Sequence, residues 1–157
     1  MCGVKASRFL LALLLPLVAG CDYPMDAGGT LERIRGERLM RVGVSENPPF
    51  VIISEDSPGG IEPALVQKFA GRLGARIEWV RGAESSLAEA LGKREIDLAI
   101  GGFTTDSPWL GDAGPTQPFL RDHVMLGPAG ENAFMLALDR FLAEARQSGE
   151  IPLGGAE

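Results

Sequence analysis

Histidine, cysteine and aromatic side chains are scarce in this chain: 157 residues contain one His, two Cys and 6% Phe, Trp and Tyr. So few ligating groups argue against a zinc site. A Ser-His-Asp hydrolase would have to rest on His123 alone. Positive charge is short as well. The formal net charge of −6 argues against a nucleic-acid partner, which calls for clustered Lys and Arg. The apolar run Phe9 to Ala19 is broken by Pro16 and is too short to span a bilayer. What is present is a globular composition, 45% hydrophobic. It suits one domain with enough Leu, Ile, Val and Phe to offset ordering entropy.

Motifs for catalysis fail one by one. Gly92-Lys93 is followed by Arg94, and Leu87 stands where a phosphate loop needs its first glycine. Gly43-Val44-Ser45-Glu46-Asn47 begins like a nucleophile elbow but lacks the closing glycine. No G-x-G-x-x-G opens a helix, and Ser45, Ser85 and Ser86 have no visible base. His123 sits in an apolar stretch, where a structural role outweighs a chemical one. The carboxylates are spread along the chain without an acid/base pair. No catalytic residue, cofactor or metal is assigned.

The N-terminus reads as an address. Lys5 and Arg8 precede the apolar run, as in a secretory signal. The run ends Val18-Ala19-Gly20-Cys21, which resembles the bacterial lipobox. Residues 1–20 are then a lipoprotein signal peptide and Cys21 the lipidated first residue, with the acyl chains as membrane anchor. Asp22 next to the cysteine resembles the signal for inner-membrane retention. Residues 21–36 form a tether and a short helix, Leu31 to Arg35.

Residues 37–149 read as one α/β lobe. Leu39 to Ser45 is a strand, and Phe50 to Ile53 a short apolar run after Pro48-Pro49. A helix follows, with Ile61, Leu65, Phe69 and Leu73 on one face, Glu62 favouring its N-terminal dipole, and Gly74 at its end. Arg76 to Arg81 is a strand. Ser86-x-x-Glu89 is a capping box for the next helix, and Ile96 to Ile100 a buried strand. The pattern lapses between Gly102 and Phe119. His123 to Leu126 is a last strand, and Phe134, Leu138, Phe141, Leu142 and Ala145 line a helix starting near Asn132. Residues 150–157 are a tail. Alternating strands and helices imply a mostly parallel sheet flanked by helices.

In such sheets ligands bind beyond the carboxyl ends of the strands. The loops there are Glu46 to Phe50, Arg81 to Glu84 and Gly101 to Trp109. Gly101 and Gly102 let backbone N–H groups approach a ligand. Thr104 and Thr105 donate or accept hydrogen bonds, Asp106 adds a charge, and Phe50, Phe103 or Trp109 supplies an apolar wall. The alternative is a tight turn with Ser107 capping a short helix at Pro108.

The segments RVGVSENPPF (41–50), GIEPALVQKFAGRLGARIEWV (60–80), LAEALGKREIDLAIGGFTT (87–105), PF (118–119) and HVMLGPAGENAFMLALDRFL (123–142) resemble, in order, the first lobe and C-terminal helix of bacterial ABC-importer solute-binding proteins of family three. These are amino-acid-type periplasmic binding proteins with a type II fold. The resemblance implies a single lobe of that fold, a small polar solute such as an amino acid, an ABC permease or other membrane protein as partner, and the periplasmic face of a membrane. It places Glu46, Phe50, Gly101, Gly102, Phe103, Thr104, Thr105, Asp106 and Trp109 at the ligand. Two departures stand out. Phe119 and His123 are four positions apart where family members insert a second lobe. No arginine follows Thr104-Thr105 to clamp a ligand carboxylate. The reading is a lipid-anchored one-lobe binder with weak affinity. The alternatives are an interaction or sensory module, a family member without ligand, and a dehydratase-like enzyme, the last disfavoured.

Overall fold

The computed structural model describes residues 26–151. The signal segment, Cys21 and the tail from residue 152 lie outside the described residues.

Among the described residues ten elements follow one another: α1 (Thr30–Glu37), β1 (Leu39–Val44), α2 (Ile61–Leu73), β2 (Arg76–Arg81), α3 (Glu84–Gly92), β3 (Leu98–Ile100), a 3₁₀ turn (Pro108–Gly111), β4 (Ala113–Pro115), β5 (Leu126–Pro128) and α4 (Asn132–Gln147). The sheet order is β2-β1-β3-β5-β4. β1 runs parallel to β2 and β3, while β5 is antiparallel to β3 and β4. The carboxyl ends of β1, β2 and β3 therefore share one edge.

Alternation along β1 decides which helix covers which face. Met40, Val42 and Val44 join Leu98 and Ile100 in a core shared with Ile34, Leu65, Val66, Phe69, Phe134, Leu138 and Phe141. That face is covered by α1, α2 and α4. The opposite face, through Ala99 and Leu126, packs on Leu87 and Leu91 of α3. Gly43 is what lets α3 approach: a Cβ there would lie 2.7 Å from both Leu87 and Ile96. The expected stripe of α4 is realised, with Phe134, Leu138, Phe141, Leu142 and Ala145 all buried. Gly74 takes the left-handed conformation that ends α2.

Three expectations need correction. The helix α3 begins at Glu84, two residues before the Ser86 box, and its N-cap Ala83 makes no side-chain cap bond. A strand, β4, lies in the stretch read as patternless. The last strand is Leu126–Pro128, because His123, Val124 and Met125 spend their backbone bonds outside the sheet. Thr104 and Leu120 bridge to His123. Val124 N–H donates to Phe103 O at 2.9 Å, and Thr116 N–H to Met125 O at 2.9 Å.

The lobe closes where a second lobe would be inserted. Phe119 N–H donates to His123 O and His123 N–H to Leu120 O, at 3.0 and 2.9 Å. Arg121 and Asp122 form the connection, with Arg121 at φ 53°. That left-handed residue is what a tight two-residue turn demands.

The pole opposite the carboxyl edge is held by carboxylates. Asp26 accepts from Leu31 N–H of α1 and Phe134 N–H of α4, each at 2.8 Å. Buried Glu131 accepts from Gly28 and Thr30 N–H at 2.6 and 3.0 Å and pairs with Arg94. Asp97 accepts from Arg41 N–H at 2.8 Å and pairs with Arg33.

Candidate functional site

The carboxyl ends of β1 and β3 carry two loops. The first leaves β1 through Ser45, which donates its N–H to Ile100 O at 3.0 Å. Asn47 and Val51 exchange backbone bonds at 2.9 Å, so Pro48, Pro49 and Phe50 form the tip. The second loop leaves β3 at Gly101. Asn47 Nδ2 ties the two together by donating to Gly101 O at 2.9 Å.

The sequence-predicted residues divide into two groups. Glu46, Thr105 and Asp106 are exposed on the rim, and Phe50 and Thr104 are half-buried beside it. The Phe50 ring lies on the His123 imidazole, with centroids 3.8 Å apart. Thr104 N–H is held by Ser107 Oγ at 3.0 Å, and Thr105 N–H by Asp122 O at 3.0 Å. The hydroxyl of Ser107 thus braces the loop instead of capping the 3₁₀ turn.

Four residues sit elsewhere than expected. Phe103 is 1% exposed and belongs to the core under α3, so it is no part of a ligand wall. Trp109 packs beside that core and donates its Nε1–H to Glu84 Oε2 at 3.1 Å. It pins the 3₁₀ turn to α3. The N–H groups of Gly101 and Gly102 both point to Glu62 Oε2, at 2.9 and 3.0 Å. They are spent inside the lobe and are not offered to a ligand. Gly102 has φ 68°, a conformation that turns two successive N–H groups toward one oxygen at little cost for glycine.

Glu62 and His123 are the residues that sequence reasoning undervalued. Glu62 is completely buried. Its own N–H donates to Phe50 O at 3.1 Å, so it touches both loops. Burial pushes its carboxyl up from 4.5 to about 7, against the two glycine donors. Its Oε1 and His123 Nδ1 are the two buried side-chain polar atoms without a hydrogen-bond partner among the described residues. The signal for Glu62 was its phase: it precedes Leu65 and Val66 by three and four positions, on the apolar face of α2. No cluster of His, Cys, Asp or Glu suited to a metal ion occurs among the described residues.

A sheet of this order, with loops gathered at the carboxyl edge and no second lobe over them among the described residues, defines a single lobe of a periplasmic-binding-protein fold. Residues 40–152 match the bacterial extracellular solute-binding proteins, family 3. The chain belongs to that family. It is similar to the arginine-bound form of domain 1 from TmArgBP, with a TM-score of 0.66 and 20% identity over 71% of this chain and 97% of that one. Among curated proteins it is 33% identical over 118 residues to the membrane-bound lytic murein transglycosylase F of Vibrio cholerae serotype O1, covering 73% of this chain and 22% of that protein. The corresponding protein of Photobacterium profundum is 35% identical over 97 residues, 61% of this chain and 19% of that protein. The chain thus spans about a fifth of the length of the curated relatives it matches.

Proposed function

We propose that this chain is a lipid-anchored, one-lobe solute-binding protein of the bacterial periplasm, holding a small polar solute at the carboxyl edge of β1 and β3. The observation that carries the reading is the closure at Arg121-Asp122. It completes the lobe and leaves Glu46, Phe50, Thr104, Thr105 and Asp106 uncovered at the edge where such sheets take ligands. The arginine-bound domain 1 of TmArgBP supports the idea that one lobe suffices to hold a solute. Here the rim offers carboxylates and no clamp arginine after the threonines. Neutral and cationic solutes are favoured, with hydroxyls from Thr104 and Thr105 and the Phe50 face as contacts. A single lobe covers less of a ligand than a closed cleft does, so affinity falls between about micromolar and millimolar.

The anchor is Cys21, with residues 1–20 removed; the lobe starts earlier than the expected residue 37, since Asp26 holds the first turns of α1 and α4 and Ile34 of α1 lies in the core. An importer permease or another membrane protein is the partner. Mass spectrometry of the membrane fraction should find a diacylglycerol-modified peptide beginning at Cys21. A Cys21→Ser variant that still fractionates with membrane would refute the anchor. Calorimetric titration of the full chain with L-arginine, L-glutamine, L-glutamate and choline tests the site. Arginine should bind more tightly than glutamate, and the reverse order would refute the cationic preference.

A second reading is favoured by the curated relatives. Their names place a similar stretch within membrane-bound lytic murein transglycosylases. In that reading the lobe is a recognition module for cell-wall material and not a transport component. Titration with soluble murein fragments separates the two readings.

A further inference from the structure

Glu62 lies too deep to touch a solute, yet it holds the backbone on which a solute would rest. Oε2 receives Gly101 and Gly102 N–H, and the Glu62 N–H fixes Phe50 O. One residue in the first turn of α2 therefore joins both loops of the edge. Resting on the solute-binding reading of that edge, we propose that Glu62 is a positioning residue whose proton keeps the ligand loop closed, and whose ionisation loosens it.

The asymmetry of the carboxyl group is the reason. Oε2 is satisfied by two donors, while Oε1 is buried with no partner. An ionised carboxylate here places charge on a bare oxygen out of water, which costs more than a single unmade hydrogen bond. Two relaxations are open to it. The group takes a proton, or the loops part and let Oε1 reach water. The first keeps Gly101 and Gly102 bonded, and the second frees them. No counter-charge decides the matter. The titratable groups on the surrounding elements are Glu46, Glu55 and Asp56 between β1 and α2, Arg81 at the end of β2, Asp106 after β3, and Arg121, Asp122 and His123 at the closing turn. None of them is among the groups that set the Glu62 carboxyl, which is governed by burial and by the two backbone donors. A folded-state value of about 7 puts the change within the physiological range.

Hydrogen exchange on the full chain tests this, with amide protection for residues 101–105 expressed relative to the intrinsic rate at each pH. Protection should fall by at least about tenfold between pH 5.5 and pH 8, since each unit of raised pKa corresponds to a factor of ten. Glu62→Gln keeps an acceptor oxygen for the two glycines and cannot ionise. It should hold protection at pH 8 near the wild-type level at pH 5.5. Glu62→Ala should lower protection at both pH values. The proposal is overturned if wild-type protection is the same at both pH values, or if Glu62→Gln keeps the drop. L-Arginine titrated at the same two pH values separates this role from the solute reading. Affinity should weaken at pH 8 in the wild type and not in Glu62→Gln. Arginine binding at neither pH, with the protection change intact, removes the solute reading and leaves the positioning role standing.

Discussion

Each pole of the lobe is built around a glutamate that is completely buried, and the two are satisfied very differently. At the pole opposite the carboxyl edge, Glu131 accepts from two backbone N–H groups and pairs with Arg94. Burial would raise its carboxyl, but Arg94 and the Thr30 and Gly28 donors outweigh burial and leave it below the ordinary glutamate value. At the edge, Glu62 has two donors on one oxygen, none on the other and no cation. Burial wins and raises it to about 7. Asp97 stands between the two: both oxygens are bonded, yet burial still raises it against Arg41 and Arg33. Burial alone does not decide the charge of a buried acid. What decides it is the balance between burial and the donors and cations folded in with it: they outweigh burial at Glu131, fall short of it at Asp97, and at Glu62 amount to two donors on one oxygen. One pole is thereby a fixed clasp between α1 and α4, and the other remains responsive.

The largest expected effect breaks the clasp. Glu131→Ala leaves the Gly28 and Thr30 N–H groups without their acceptor, while Arg94, half exposed, turns to water; the loss should be about 2–5 kcal/mol in urea unfolding. Glu62→Gln should cost far less at pH 8, because it removes a charge the fold does not accommodate. Equal losses in the two variants would erase the distinction between the poles.

A pH series sharpens it next, because the two glutamates act with opposite sign. The folded value of Glu62 lies above its ordinary value. Its contribution is therefore complete below about pH 4.5 and is lost as pH rises to about 7. At about 1.4 kcal/mol per unit, the loss is at most about 3–4 kcal/mol. Glu131 is lowered, so its contribution is present above the ordinary glutamate value and is lost as pH falls. Urea midpoints should peak near pH 5. Glu62→Gln should flatten the alkaline limb alone.

Asp26→Ala comes third. One carboxylate caps the first turns of both α1 and α4, at about 1 kcal/mol for each lost cap. A loss of about 2 kcal/mol should appear, together with faster amide exchange at Leu31 and Phe134. A loss confined to α1 would show that α4 does not depend on the clasp.

Periodicity made β1, α2, β2 and α4 legible in the sequence, since each has a face to bury and a break at its end. β4 was not legible. Ala-Gly-Pro has no pattern of its own and becomes a strand by pairing with β5. The closing turn was legible from its length, because two residues between Leu120 and His123 leave little besides a hairpin. At the site, the rim residues Glu46, Phe50, Thr105 and Asp106 were readable from loop position. The fate of the Gly101 and Gly102 N–H groups was not. Their acceptor is 39 and 40 residues away in the chain, and Glu131 meets Gly28 across 103. Helix-end rules see a glutamate near an N-terminus and assign it to the dipole. They do not see a partner brought in by another strand.

The smallest effect on stability, and the sharpest on the edge, belongs to Asp106. It is exposed on the loop after β3 and forms no ion pair among the described residues. Asp106→Asn should therefore leave the urea midpoint within about 0.5 kcal/mol of wild type. Its effect belongs to recognition. In the proposed solute site its charge, with that of Glu46, would attract a cation before contact. That attraction acts through solvent and is screened over about 10 Å at 0.1 M salt. Asp106→Asn should weaken L-arginine binding by about threefold to tenfold at low salt, and L-glutamine binding much less. Raising the salt to about 0.5 M should shrink the difference between wild type and variant, because an exposed charge is screened where a buried one is not. An unchanged preference for arginine over glutamine in Asp106→Asn at low salt would mean that this rim charge does not select the solute, and that selection rests on Phe50 and the threonine hydroxyls.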